Sequence, residues 1–183
     1  MRFLLLFLSM FLFVGCQNQK ESSSKPVAES LQVFTDSLNT MSFKAPENSF
    51  VQDGFYAFSS KEMNAKISLE KLVSEDLGSV FSKEELIDKY KKGLNNVIVE
   101  SKDDWFIIKG INSNKNVIIV KGIYSYSDRL LSKEENPNEE NKYVLLSSRA
   151  GILNIQYPEK NSEQMNSFSK EILNSFTINY DNF

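Results

Sequence analysis

The chain has 183 residues, 41% of them apolar and 25% charged, with a formal charge of −3, no histidine and one cysteine. The lack of histidine excludes Ser-His and Cys-His nucleophiles, histidine proton shuttles and the commonest zinc sites, and the single thiol excludes an internal disulfide. The mildly acidic balance lacks the basic footprint that nucleic-acid phosphates require, so no nucleic-acid partner is expected.

The chain opens with Arg2, an apolar run over residues 3–14, then Gly15 and Cys16. A charged start, a run shorter than the ~20 residues of a spanning helix, and a small residue before a cleavage point are the parts of a secretory signal. Phe13-Val14-Gly15-Cys16 resembles the bacterial lipobox, with Phe13 where leucine is more usual. The resemblance implies that residues 1–15 are a lipoprotein signal peptide and that Cys16 is acylated and becomes the new N-terminus. The membrane is then a partner through that anchor, and the location is the bacterial cell envelope. Each buried methylene contributes ~0.8 kcal/mol and stable anchoring takes at least two chains, so an acylated Cys16 holds the protein without a spanning helix. Gln17 and Asn18, with no Asp directly after the cysteine, resemble the sorting pattern for an outer membrane, facing the periplasm. Residues 16–29 form a polar, Ser-rich stretch with Pro26, which suits a flexible tether. Residues 30–183 then form one domain, large enough to bury a core.

Within that domain Leu31, Phe34, Leu38 and Met41 recur every three or four residues and predict a short helix, although Val33, Thr35 and Thr40 suit a strand as well. Strands are predicted over residues 42–45, 54–59 and 65–69, with irregular chain or one helical turn over 72–80. A helix is expected over 83–95. Ser82 and Glu85 match a capping box, Leu86, Ile87, Tyr90 and Leu94 share a stripe, and Gly93, Asn95 and Asn96 favour termination. Further strands are expected over 97–101, 105–111, 117–126, 143–148 and 152–157, the polar residues 112–116 making a hairpin turn.

Residues 105–108 and 117–120 are apolar at every position, a pattern that places them in central strands covered on both faces. Leu153, Ile155 and Tyr157 instead alternate with Asn154 and Gln156, which leaves one face to water or a polar layer. The last helix, over 162–176, gathers Met165, Phe168, Ile172, Leu173 and Phe176 on one side. At ~25 cal/mol per Å² of apolar area, that stripe must dock on the sheet. The fold class is therefore α+β, a mostly antiparallel sheet of six to eight strands packed with two main helices.

Ile155-Gln156-Tyr157-Pro158, a helix, and then residues 172–178 form an ending similar to that of the PsbP-like proteins, and Phe43, Pro46 and Gly54-Phe55 resemble their opening strands. The resemblance spans residues 40–178. It implies a PsbP-like topology and a role in binding or stabilising protein partners, and it brings no catalytic residues.

No GxGxxG, P-loop or GxSxG sequence occurs, so phosphate cradles and hydrolase elbows are absent. Asp103-Asp104 lies between two strands, and Asp128, Glu134, Glu135, Glu139 and Glu140 lie in the polar segment 128–142. Paired acids serve glycoside hydrolysis or bind calcium, but neighbours on a loop fix no carboxylate separation, and these read as a solvated interaction loop. No metal, cofactor or catalytic set is expected. Lysines along 83–92 read as a solvated face. Trp105, Tyr124 and Tyr126 are candidates for lining a pocket for an apolar or sugar ligand, although aromatics in strands are usually core. Two functions of different class follow. The preferred one is a lipid-anchored, non-catalytic envelope domain that binds a protein or supports a complex. The rival is a small-ligand carrier or carboxylate-based enzyme using Asp104 and the group from Glu134 to Glu140.

Overall fold

The computed structural model describes residues 30–76, 79–130 and 144–183. The segment expected as a short helix is a hairpin of two strands, β1 (Leu31–Thr35) and β2 (Met41–Pro46). Asp36 decides this. Its buried carboxylate accepts the Thr40 N–H at 2.7 Å and the Thr40 hydroxyl, its own N–H donates to the Met41 carbonyl at 3.1 Å, and Asn39 takes a φ of 54°. Such local bonding draws Asp and Asn into turns and away from helix.

Two short strands follow, β3 (Val51–Gln52) and β4 (Ala57–Ser60), in place of one over 54–59. Next, β5 (Ala65–Asp76) takes up residues 72–76 of the stretch 72–80 expected to be irregular, while 79–80 are irregular. It does so because a long neighbour, β9 (Val144–Pro158), pairs with it out to Asp76 opposite Leu146.

Helix α1 (Lys83–Lys91) carries the expected capping box at Ser82 and Glu85 but stops early. Lys92 is extended, Gly93 has φ 80°, which only glycine adopts freely, and Leu94 already belongs to β6 (Leu94–Ser101). Strands β7 (Trp105–Asn112) and β8 (Asn116–Leu130) form the expected hairpin, β8 running four residues past its expected end. The two strands expected over 143–148 and 152–157 are the single β9, because Gly151 keeps the pairing continuous while Ile178 packs onto it. A 3-10 turn (Glu159–Asn161), helix α2 (Ser162–Ser175) and β10 (Thr177–Ile178) complete the order.

The fold is α+β. Among the described residues, β3-β4-β5-β9-β8-β7-β6 form a seven-stranded sheet and β1-β2-β10 a three-stranded one that the sequence pattern did not separate. Every pairing is antiparallel. Both faces of the large sheet are covered, as the all-apolar runs require. Val117, Ile119, Leu153 and Ile155 join one core with the buried Met165 and Ile172 of α2, and Phe106, Ile108, Ile118 and Val120 join the other with Leu86 of α1. The small sheet adds Phe34 and Phe43 to the first core, stacked at 5.4 Å between centroids, with Phe50 and Phe58 edge-on to Phe43 at 6.4 and 5.2 Å. Edge-on contacts of this kind add ~0.5–1.5 kcal/mol each beyond their buried area.

Candidate functional site

Cys16, Glu134, Glu135, Glu139 and Glu140 lie outside the described residues. Asp128 is exposed and belongs to β8, opposite Leu146, so the polar segment begins inside a strand rather than on a loop. The three candidate aromatics do not share one pocket wall. Trp105 is registered with Ile123 and lies on the α2 side of the sheet, whereas Tyr124 points to the α1 side. There the Tyr124 ring meets Phe81 at 6.2 Å and its hydroxyl donates to the Phe81 carbonyl at 3.2 Å. Burial, then the Glu84 charge, raises the Tyr124 pKa. Tyr126, on the same face further along β8, is 51% exposed.

The other charged candidates, Lys89, Lys91 and Asp104 among them, lie at the surface. Lys89 pairs with Glu70 at 3.0 Å and Lys91 with Asp88 at 2.6 Å. The Asp104 carbonyl accepts the Tyr124 N–H at 2.7 Å. Lys121 donates to the Leu173 carbonyl at 2.6 Å near the end of α2; its burial lowers its pKa, and the Asp104 charge opposes that shift.

Three consecutive apolar side chains are exposed at the β6 edge of the large sheet. Val97, Ile98 and Val99 are 37%, 60% and 42% exposed on a strand whose outer side meets no other strand among the described residues. An open edge presents a row of backbone donors and acceptors ready to pair with another chain. A bulge between Asn95 and Ile98, with Asn96 at φ 52°, twists its first half, and regular pairing with β7 runs from Ile98 to Ser101.

Between this edge and α2 lies a groove of about 500 Å³ floored by Ile98, Ile107, Ile119 and Leu173, with Glu100 and Lys170 on its rim. A smaller hollow of about 170 Å³ shares Ile98 and Lys109 with it and extends toward Ser162 at the start of α2. On the opposite face the expected polar layer is present: Asn154 and Gln156 join Lys66 and Ser68 around an open cleft of about 340 Å³.

Residues 97–101 were legible as a strand, but their edge position was not. Val97-Ile98-Val99 is apolar on consecutive positions, like the runs in β7 and β8, but among the described residues only β7 pairs with its strand. No group of three metal-ligating side chains occurs among the described residues. No described helix is long and apolar enough to cross a membrane.

No family model matches the chain, and no curated protein matches it. Among solved structures, the chain is similar to the solution structure of cyanobacterial PsbP (CyanoP) from Synechocystis sp. PCC 6803, with a TM-score of 0.45 and 12% sequence identity over 86% of this chain and 98% of that one. It is a likeness of fold alone.

Proposed function

We propose that the chain is a lipid-anchored lipoprotein of the bacterial cell envelope, held through Cys16 at the outer membrane and facing the periplasm. Its α+β domain is non-catalytic and binds a protein partner or supports a complex through the β6 edge. The observation that carries this reading is the run Val97, Ile98 and Val99, exposed beside an aliphatic groove on a strand that has no outer neighbour among the described residues. Strand addition uses such an edge: main-chain hydrogen bonds supply affinity and the groove selects alternate side chains of the incoming segment. The lipobox supports the anchor, and the polar residues 17–29 supply the slack that a surface-held domain needs to meet a partner.

The test is an envelope pull-down with the intact chain, the Cys16→Ser variant and the Ile98→Lys variant. Cys16→Ser leaves the membrane fraction or remains unprocessed. Ile98→Lys stays on the membrane with an unchanged melting temperature and loses its partner at least ten-fold. A specific partner retained by Ile98→Lys removes the edge from the proposal, and no specific partner for the intact chain removes the binding function.

A further inference from the structure

The main-chain pattern of β6 shows which of its groups face outward. The Lys102 N–H donates to the Trp105 carbonyl at 2.9 Å, closing the turn between β6 and β7. In an antiparallel pair, residues bonded to the neighbour alternate with residues that turn both main-chain groups away. Counting back from Lys102, Glu100 and Ile98 bond to β7 through Ile107 and Lys109, whereas Val99 turns its N–H and C=O to the open side. Val97, in the bulge, has no registered partner in β7. Every residue over 95–101 is exposed, so neither helix blocks the edge.

We infer that the partner at this edge is a second copy of the chain, paired β6 to β6 in antiparallel about a two-fold axis at Ile98. The inference rests on the edge-binding function proposed above and names its partner. An isologous contact sets one surface against itself, so it needs a stretch that matches its own reverse. Val97-Ile98-Val99 reads the same in both directions. With the axis at Ile98, Ile98 faces Ile98 of the second copy, Val97 of each copy faces Val99 of the other, and Glu100 faces Asn96. Moving the axis to Val99 sets Glu100 on Ile98, and moving it to Val97 sets Asn96 on Ile98. Of these three registers only the first stacks β-branched side chains on one another at all three positions, and such cross-strand pairs are what stabilises a sheet.

Charge and bonding agree with that register. No like charges stand opposite each other across the axis. Glu100 and Lys109 make no ion pair among the described residues, and both line the groove on the α2 face. Glu100 of one copy and Lys109 of the other stand roughly 11 Å apart at Cα by strand spacing, a gap that two long side chains close. Val97 and Val99 exchange main-chain hydrogen bonds across the junction, and the aliphatic groove beside Ile98 meets its counterpart. Because the anchor proposed at Cys16 holds both copies at one surface, a short junction suffices.

The test places cysteine along the edge of the full chain in its own cells and oxidises the isolated envelope. At the axis, the Cα atoms of a non-hydrogen-bonded antiparallel pair stand about 4.5 Å apart, within disulfide range, whereas position 97 or 99 meets its own copy at roughly 8 Å, beyond that range. Ile98→Cys is expected to give at least ten-fold more of a reducible species of twice the chain's mass than Val97→Cys, Val99→Cys or the unsubstituted chain. In a second measurement, two differently tagged copies are co-purified from the envelope. Ile98→Lys on both copies, or Ile98→Glu on both, is expected to lower co-purification at least ten-fold, and Ile98→Lys on one with Ile98→Glu on the other is expected to recover most of it. No disulfide at position 98, an equal yield at 97 or 99, or no recovery by the opposite charges overturns the inference. If the envelope pull-down still captures another protein that Ile98→Lys loses, the second copy alone is removed and the edge keeps its binding function; if it captures none, both fall.

Discussion

The ring of Phe106 lies flat against Gly122, its cross-strand partner, where an added Cβ would stand 2.3 Å from the ring. Phe106 is fully buried under α1, so neither the ring nor the β8 backbone has room to yield. Gly122→Ala is expected to destabilise the fold by about 1–3 kcal/mol, the cost of overpacking a core. Adding Phe106→Leu restores most of that loss. Chemical denaturation of the two single variants and the double variant measures the coupling directly, and additive losses would contradict the contact.

The Ser82–Glu85 pair caps α1 from both sides: the Glu85 N–H donates to the Ser82 hydroxyl at 3.2 Å and the Ser82 N–H to the Glu85 carboxylate at 2.7 Å. Ser82→Ala is expected to cost ~1 kcal/mol. Ser82→Asp, which keeps an acceptor at the cap, is expected to retain most of the stability in the same denaturation measurement.

Stability is expected to fall at alkaline pH. Burial, then the hydrogen bond and charge of Glu70, holds the Tyr90 hydroxyl well above the ordinary tyrosine value, and burial also raises Tyr157 and Tyr180. An unfolded tyrosine loses its proton near pH ~10 while these folded ones keep theirs, so the folded state binds more protons in that range. The contribution is whole below about pH 10 and is lost as pH rises through the folded values. Melting temperature followed against pH should decline above that point, and Tyr90→Phe should flatten the decline. An unchanged slope in Tyr90→Phe would remove Tyr90 as its source.

Much of the fold was legible because it is written in periodicity. The capping box, the stripe of α2 and the all-apolar runs of β7 and β8 each state a requirement that tertiary structure meets. The misreadings have local causes. Leu31 and Leu38 keep helical spacing with Phe34 and Met41, yet both are exposed, because the Asp36–Thr40 bonds close a turn that carries Leu38 and makes the flanking residues two strands. Residues 72–76 carry no alternating pattern, and only the length of β9 makes them a strand. The candidate site was less legible than the fold. Aromatic identity suggested that Trp105 and Tyr124 act together, but an odd step between Ile123 and Tyr124 sends them to opposite faces. The β6 edge depends on strand order across the sheet, which no short stretch of sequence encodes.

The central claim is that a protein partner adds to the β6 edge in the envelope. A photo-crosslinking amino acid placed at Ile98 in the full chain, expressed in its own cells, tests it most directly, with the exposed Asp53, next to β3 at the opposite edge of the sheet, as the control position. The expected result is one discrete adduct from position 98, absent from position 53 and lost in the Cys16→Ser background. No adduct at 98, or the same adducts at both positions, would contradict the claim.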